Sequence, residues 1–225
     1  MTATKDMRVL VVGATGALGG EIARELAARG SRVAVSGRSA ERTASLAADL
    51  GVPAIPADLR SPGAPEWVVR EAASHLGGLD AVVQCAGVVA YGPVHDLTDE
   101  TLVELVETNL LAPARLARAA LGELGRGGTI VQVSAIVADM PVAGMAAYSA
   151  SKAGLTAVDR ALAREARRDG VRVVDVRPPH LDTGLETRPI AGEPPKLPPG
   201  RDVREVAHLI VDALGDERAR EVDFG

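Results

Sequence analysis

The chain has little cysteine, few aromatic residues and no long hydrophobic run. Among its 225 residues there is one cysteine, Cys85, so no disulfide can form within the chain. Aromatic residues make up only 2% of the sequence, so the core must be built from Ala, Val, Leu and Ile. No apolar run in the sequence approaches the roughly 20 residues of a membrane span, and the polar start lacks the apolar segment of a signal peptide. These absences predict a cytoplasmic protein that has no membrane partner.

Basic tracts and metal-ligand clusters are missing as well. The net charge is -5, which argues against nucleic acid as a partner. The four histidines are scattered and Cys85 stands alone, so no metal site is predicted. Hydrophobic residues make up 47% and charged residues 24%, which is typical of a globular protein. The length suits one domain, and we expect it to cover residues 1–225.

Short β-branched runs alternate with helical patterns along the chain. This alternation predicts an α/β fold: a Rossmann-like, doubly wound parallel sheet of six or seven strands with helices on both faces. Right-handed crossovers would bring the carboxyl ends of all strands to one edge. We predict strands at residues 8–12, 32–36, 52–56, 79–85, 129–133 and 171–176, with Val222-Asp223-Phe224 as a further edge strand.

A glycine-rich turn joins the first predicted strand to the first helix. Its glycines follow a G-x-x-G-x-x-G pattern at residues 13, 16 and 19. Such a turn lets the backbone approach a pyrophosphate closely and directs a helix N-terminus at it. A tight turn without a ligand is the alternative. The predicted cofactor contacts in this turn are Gly13, Thr15, Gly16, Ala17 and Leu18.

The ends of the second and third strands carry candidate nucleotide contacts. Arg38 follows the second strand, where no Asp or Glu is available for a ribose 2′-hydroxyl. An arginine there accommodates a 2′-phosphate, which favours NADP(H) and leaves NAD(H) possible. Asp58, next to Leu59, either bonds an adenine amino group or caps the next segment. Arg38 would otherwise be a solvated loop residue.

Tyr148 and Lys152 lie four residues apart in a run of good helix formers. This spacing places both side chains on one helical face. A nearby ammonium lowers the pKa of a phenol from its usual value of about 10, so the pair is a candidate proton donor near neutral pH. An ordinary exposed helix face is the alternative. The chain's only asparagine, Asn109, falls inside a long helical pattern, and Ser134 follows the fifth strand.

Together, these motifs resemble the short-chain dehydrogenase/reductase family. The match consists of the glycine turn, Ala86-Gly87 after the fourth strand, Asn109, Ser134, and Tyr148-x-x-x-Lys152. The resemblance implies an oxidoreductase that interconverts alcohols and carbonyls with NAD(H) or NADP(H). The family's catalytic tetrad maps onto Asn109, Ser134, Tyr148 and Lys152.

The resemblance also implies a role for each member of this tetrad. Ser134 would hold the carbonyl oxygen, and Tyr148 would deliver or take the proton. Lys152 would lower the pKa of Tyr148 and bond the nicotinamide ribose, while Asn109 would hold a water. Further cofactor contacts implied by the resemblance are Ala86, Gly87, Pro178, Leu181 and Thr183.

Three local departures from the family pattern stand out. Ala17 and Gly16 replace the usual order of residues in the glycine turn, Gln84-Cys85 replaces Asn-Asn, and Pro179 replaces a glycine. The glycine spacing is closer to branches that include epimerases and dehydratases with tightly held cofactors. Such an enzyme is therefore one alternative function, and a non-catalytic NADP(H)-binding sensor is another.

The substrate region is predicted to be apolar. Residues 184–200 are rich in proline and glycine and lack periodicity, as expected of a substrate loop. We expect a small carbonyl or alcohol substrate and, from the family, a homodimer or homotetramer. The predicted pocket walls are Val88, Val89, Tyr91, Ile136, Met140, Met145, His180 and Leu185.

Overall fold

A six-stranded, wholly parallel sheet forms the centre of the molecule, whose computed structural model describes residues 4–222 and 224. The strand order is β3-β2-β1-β4-β5-β6, so the chain winds outward from β1 in both directions. The predicted Rossmann-like, doubly wound sheet is confirmed. The strands are β1 (Arg8–Val12), β2 (Arg32–Gly37), β3 (Ala54–Pro56), β4 (Leu79–Gln84), β5 (Leu124–Val133) and β6 (Arg172–Val176).

Helices cover both faces of this sheet and create two hydrophobic layers. Val9 of β1 packs in one layer with Ile22 and Ile210, whereas the next residue, Leu10, packs in the other layer with Leu116. This alternation explains why central strands are apolar at nearly every position. The α-helices are α1 (Ala17–Ala28), α2 (Ala40–Leu50), α3 (Ala64–Leu76), α4 (Asp99–Val106), α5 (Ala112–Glu123), α6 (Ala146–Glu165) and α7 (Val203–Gly215).

The long helical pattern around Asn109 folds as a helix with a local irregularity. Between α4 and α5 lies a π-helical turn, Glu107–Leu111, with Asn109 buried at its centre. A π turn widens the helix by one residue per turn and is common at functional sites. Sequence periodicity does not reveal it, because the apolar stripe continues across the turn.

The segment 184–200 contains no helix or strand of its own, as predicted. It is nevertheless attached to the rest of the molecule, since Ala191 forms a bridge with Ala90. At the C-terminus, Asp223 of the predicted edge strand lies outside the described residues, and Glu221 makes an isolated bridge to Asp175. No helix in the described part of the chain combines the length and apolar character that a bilayer span requires.

The backbones of the glycine turn and of the end of β4 approach each other closely. Gly13 has a left-handed φ of +77°, and a Cβ placed on it would lie 2.5 Å from the amide nitrogen of Ala86. Both features require glycine. This contact brings the glycine turn beside residues 85–87, on the edge where the strands end.

We expect Gly13→Ala to destabilise the protein more than Gly63→Ala does. Gly63 has a similar φ of +76° but open space where a Cβ would lie, so it controls for backbone strain. That strain costs about 1–2 kcal/mol, and overpacking at Gly13 adds about 1–3 kcal/mol. Urea unfolding of the two variants measures the difference, and equal losses would contradict the close approach.

Candidate active site

Two adjoining cavities open at the carboxyl edge of the sheet. The larger, about 560 Å³, lies against the glycine turn and the start of α2. The smaller, about 380 Å³, contains Tyr148 and Lys152 in its wall. Four residues line both cavities, so the two spaces form one continuous cleft: Gly16, Ala17, Thr183 and Arg188.

Tyr148 and Lys152 lie on the buried face of α6. Lys152 is only 4% exposed, and its Nζ donates a hydrogen bond to the carbonyl oxygen of Val133, 3.0 Å away at the end of β5. Tyr148 is 8% exposed and packs with Tyr91 and Leu105. The phenolic oxygen of Tyr148 has no hydrogen-bond partner among the residues that the structure describes.

Burial, more than charge, sets the protonation of this pair. It raises the pKa of Tyr148 well above its usual value, and the neighbouring Tyr91 raises it further. Burial also lowers the pKa of Lys152 to about 8. The net shift of the Tyr148 pKa is therefore upward, opposite to the sequence-based expectation. Tyr148 is a neutral phenol that can donate a proton.

Asn109 joins the π turn to α6 and to the loop after β4. Its Nδ2 donates to the carbonyl oxygen of Val88 at 2.9 Å and to Ser151 Oγ at 3.0 Å, while its Oδ1 accepts from the Val88 amide at 2.9 Å. A Cβ on Gly87 would lie 3.2 Å from that Oδ1 and 3.3 Å from Lys152 Nζ. Gly87 thus leaves room where the amide oxygen and the ammonium face the same space.

The hydroxyl of Ser134 is engaged in hydrogen bonds with other protein groups. It donates to Asp175 Oδ1 at 2.7 Å, lies 3.2 Å from the carbonyl oxygen of Val176, and accepts from Thr156 at 3.3 Å. A serine has a single proton to donate. Because that proton is given to a carboxylate, we correct the sequence-based assignment: Ser134 is not placed to hold a carbonyl oxygen.

The next residue, Ala135, takes the position beside the tyrosines. It is extended, with φ -170° and ψ 157°, so its methyl group points to the side opposite the Ser134 hydroxyl. Hydrogen bonds from the Ser134 and Ile136 amides to the carbonyl oxygens of Val176 and Pro178 hold this backbone in place. The Ala135 methyl packs against the cluster that contains Tyr91 and Tyr148.

The glycine turn presents a free helix N-terminus to the cleft. Gly16, the N-cap of α1, makes no side-chain cap, and the first turn of α1 carries no acidic residue. The first N–H groups of a helix lack partners within it and attract anions. Within the described residues, therefore, this N-terminus fits a cofactor diphosphate.

Most of the predicted cofactor contacts line the cleft, and several do not. Gln84 Nε2 donates to the Ala86 carbonyl oxygen at 3.1 Å, which supports the strand end where the family has asparagine. Leu59, which follows the third strand in the chain, is buried in the hydrophobic layer that contains Leu10. Thr15, Gly16, Ala17, Leu18, Gly87, Pro178, Leu181 and Thr183 line the two cavities, whereas Gly13, Arg38, Asp58, Leu59 and Ala86 do not.

The nucleotide contacts predicted at the ends of β2 and β3 are only partly available. Arg38 is exposed, and its charge acts on Asp58. The Asp58 carboxylate is paired with Arg60 at 2.7 Å, and its Oδ1 accepts a hydrogen bond from the Arg60 amide, which matches the capping alternative. Arg42, which the sequence analysis missed, lines the larger cavity and donates to the carbonyl oxygen of Thr15. Its position four residues after Arg38, at the start of α2, was the sequence signal that could have identified Arg42 as lining the site.

The smaller cavity has the apolar wall that the sequence predicted. Val88 and Met140 lie outside its lining, and Met140 is exposed. Segment 184–200 adds Leu197 to the wall and also the charged Arg188, which sequence reasoning missed. Six predicted wall residues do line the cavity: Val89, Tyr91, Ile136, Met145, His180 and Leu185.

Sequence and structure comparisons identify the family. The short chain dehydrogenase pattern matches residues 7–193. A 3-oxoacyl-[acyl-carrier-protein] reductase from Homo sapiens is 34% identical over 217 residues, covering 93% of this chain and 91% of the relative. FabG, the enzyme of the same description from Escherichia coli K12, is 30% identical over 221 residues, covering 93% and 90%.

The chain belongs to the short-chain dehydrogenase/reductase family. It is an oxidoreductase of that family, as the resemblance implied. A solved short-chain dehydrogenase from Burkholderia cenocepacia J2315, in complex with NADP, has a TM-score of 0.85 and 30% identity, and the match covers 99% of this chain and 98% of that one.

This short-chain dehydrogenase also buries an acid on α6. Asp159 of α6 is 1% exposed, and Gln132 Nε2 donates to its Oδ1 at 2.7 Å. Burial raises the pKa of Asp159 to about 7, and the negative charge of Asp175 contributes. The Oδ2 atom has no partner among the described residues. Asp159 therefore retains a proton well above the usual pH range of a carboxyl group.

This buried acid makes stability depend on pH. Because the folded state binds the proton more tightly than the unfolded chain, raising the pH from about 4 to about 7 lowers the free energy of unfolding, by about 1.4 kcal/mol for each unit of pKa difference. Asp159→Asn removes this loss. We therefore expect wild type to lose stability relative to Asp159→Asn across that range, as measured by urea unfolding.

The exposed Asp49 supplies the control for this experiment. The stability difference between wild type and Asp49→Asn should stay nearly constant over the same range. A pH-independent difference between wild type and Asp159→Asn would show that Asp159 is already ionised in the folded protein.

Proposed function

We propose that this protein reduces the carbonyl group of a small apolar substrate with NADPH, or oxidises the corresponding alcohol. The observation that carries the proposal is the unpaired, neutral phenol of Tyr148, one helical turn from the buried ammonium of Lys152. The phenol lies in a cavity that joins the free N-terminus of α1. A proton donor thus adjoins a place for a dinucleotide.

The residues of the cleft fit an NADP(H) molecule. The first N–H groups of α1 would hold the diphosphate, and Thr183 and Arg188 line the same space. Lys152 Nζ, beside Gly87, would bond the nicotinamide ribose. When bound, the nicotinamide supplies or accepts the hydride, while the protein provides position and protons.

Tyr148 would serve as the general acid in reduction. As negative charge builds on the carbonyl oxygen, the phenol O–H bond breaks and its proton moves to that oxygen. The positive charge of Lys152, on the same face of α6, then stabilises the phenolate that remains. In oxidation the phenolate would take the proton back.

Cofactor choice rests on basic residues after β2. No acidic residue lies between that strand and α2, where Arg38 stands, and Arg42 follows Glu41 at the start of α2. An acidic residue would favour the ribose hydroxyl of NAD(H), whereas arginines favour a 2′-phosphate. The NADP complex of the Burkholderia cenocepacia protein supports the same preference.

The relatives and the cavity wall suggest a first class of substrate. The curated relatives act on 3-oxoacyl groups by name, and the wall near Tyr148 is mostly apolar. A 3-oxo ester such as ethyl 3-oxobutanoate is therefore a suitable probe.

We also propose a homodimer or homotetramer, since Val103 and Val106 leave exposed apolar surface beside the Asn109 turn.

Tyr148→Phe should abolish NADPH-dependent reduction of ethyl 3-oxobutanoate, because phenylalanine has no proton to donate. NADPH affinity, measured by fluorescence titration, should change little, since the diphosphate site is untouched. Turnover within a few-fold of wild type would remove Tyr148 from the mechanism.

Arg38→Ala should raise the Michaelis constant for NADPH far more than that for NADH. A phosphate contact with arginine is a charge-assisted hydrogen bond, worth about 1.5–3 kcal/mol, or roughly tenfold to a hundredfold in affinity. Arg168→Ala, at an exposed position after α6, is the matched control and should change neither constant. Equal effects of Arg38→Ala on both cofactors would exclude it as the phosphate partner.

A further inference from the structure

The cavity around Tyr148 lacks the second hydrogen-bond donor that a serine would supply. Carbonyl reduction places negative charge on oxygen, and enzymes stabilise it with fixed donors. Ser134 donates its proton to Asp175, and the residue that packs toward Tyr148 is Ala135, whose methyl group donates nothing. If the proposed reduction is correct, another group near Tyr148 must bond the substrate oxygen.

Tyr91 has the position and chemistry for that role. It is 4% exposed, packs in one cluster with Tyr148, and lines the same cavity. Its phenol makes no hydrogen bond to any residue in the described part of the chain. Burial and the nearby Glu186 raise the pKa of Tyr91, so it too is a neutral donor.

The backbone around Tyr91 is held from two sides. The Tyr91 amide donates to the Ala191 carbonyl oxygen at 2.9 Å, and the next amide, that of Gly92, donates to the Gly144 carbonyl oxygen at 2.8 Å. A Cβ on Gly192 would clash with the Tyr91 carbonyl oxygen, so the two segments are in close contact. Tyr91 is therefore fixed between the substrate segment and the loop before α6, as electrostatic stabilisation requires.

Other polar groups of the cavity are less suited. His180 Nε2 lies 3.9 Å from Asp182, on the loop after β6, and Arg188 donates to the carbonyl oxygen of Gly184. Both groups therefore already have a polar partner in their own loop. Tyr91 also contributes to the raised pKa of Tyr148, so the two phenols lie within electrostatic reach of each other.

We propose that Tyr91 is a catalytic residue that donates a hydrogen bond to the substrate carbonyl oxygen. It replaces the donor that a serine at position 135 would supply. Tyr148 transfers its proton to that oxygen, while Tyr91 keeps its own and only stabilises the charge. This inference rests on the proposed reductase function and specifies how its site binds the reacting oxygen.

Tyr91→Phe tests the proposal with little risk to folding, because it removes a hydroxyl that has no partner in the described structure. Loss of one such donor costs about 10²–10³ in kcat. We expect kcat for ethyl 3-oxobutanoate to fall by about 10², while NADPH affinity and the melting temperature stay close to wild type. The matched control is Ser149→Ala, which removes another buried, unpartnered hydroxyl from α6 and should leave kcat unchanged.

Rescue separates a catalytic donor from a structural one. Ala135→Ser places a hydroxyl on the tyrosine side of the chain, so the double variant Tyr91→Phe/Ala135→Ser should recover at least tenfold in kcat over Tyr91→Phe. A Tyr91→Phe variant within twofold of wild type would overturn the proposal. A fall in kcat that is no larger than the fall in NADPH affinity would also overturn it. So would a double variant in which Ala135→Ser does not restore kcat.

These outcomes are distinguishable from failure of the proposed function. If wild type consumes no NADPH with any carbonyl probe, or if Tyr148→Phe remains active, the reductase assignment itself is wrong. If wild type is active, Tyr148→Phe is inactive and Tyr91→Phe is fully active, only the role of Tyr91 is wrong.

Discussion

The hydrogen bond from the buried ammonium of Lys152 to the carbonyl oxygen of Val133 connects the parts of this site. It joins α6, which carries Tyr148, to the last residue of β5. A buried charge is costly unless it is paired, and burial accordingly lowers the pKa of Lys152 to about 8. Gly87 keeps a side chain out of this space, which Asn109 Oδ1 borders. The position of the Tyr148 phenol thus depends on a bond between a helix and a sheet.

The parallel sheet explains why the remaining parts meet there. All strands end at one edge, and the close approach of Gly13 to Ala86 places the glycine turn beside the end of β4. The helix N-terminus and the phenol therefore border one cleft, although residues 16 and 148 are far apart in the chain. Two neutral phenols in an apolar wall offer two hydrogen-bond donors, as the proposed stabilisation of a developing oxyanion needs.

The sequence predicted the parallel sheet, the glycine turn, the apolar pocket wall and the family. It could do so because strand runs, glycine spacing and a four-residue helical interval are local patterns. It missed the orientation of Ser134, since a strand reverses its side chains at each residue and the useful face at position 135 carries alanine. It also missed the raised pKa of Tyr148, because burial arises from packing with Tyr91 and Leu105, which the chain brings together only on folding.

In the proposed reaction, a hydride passes between the nicotinamide and a carbonyl carbon while Tyr148 supplies the proton. NADPH deuterated at the transferred position of C4, combined with ethyl 3-oxobutanoate and mass spectrometry of the product, tests this transfer. We expect one deuterium on the new carbinol carbon for each NADPH consumed. An unlabelled alcohol, or a rearranged substrate with the deuterium still in NADPH, would contradict it and favour an epimerase or dehydratase.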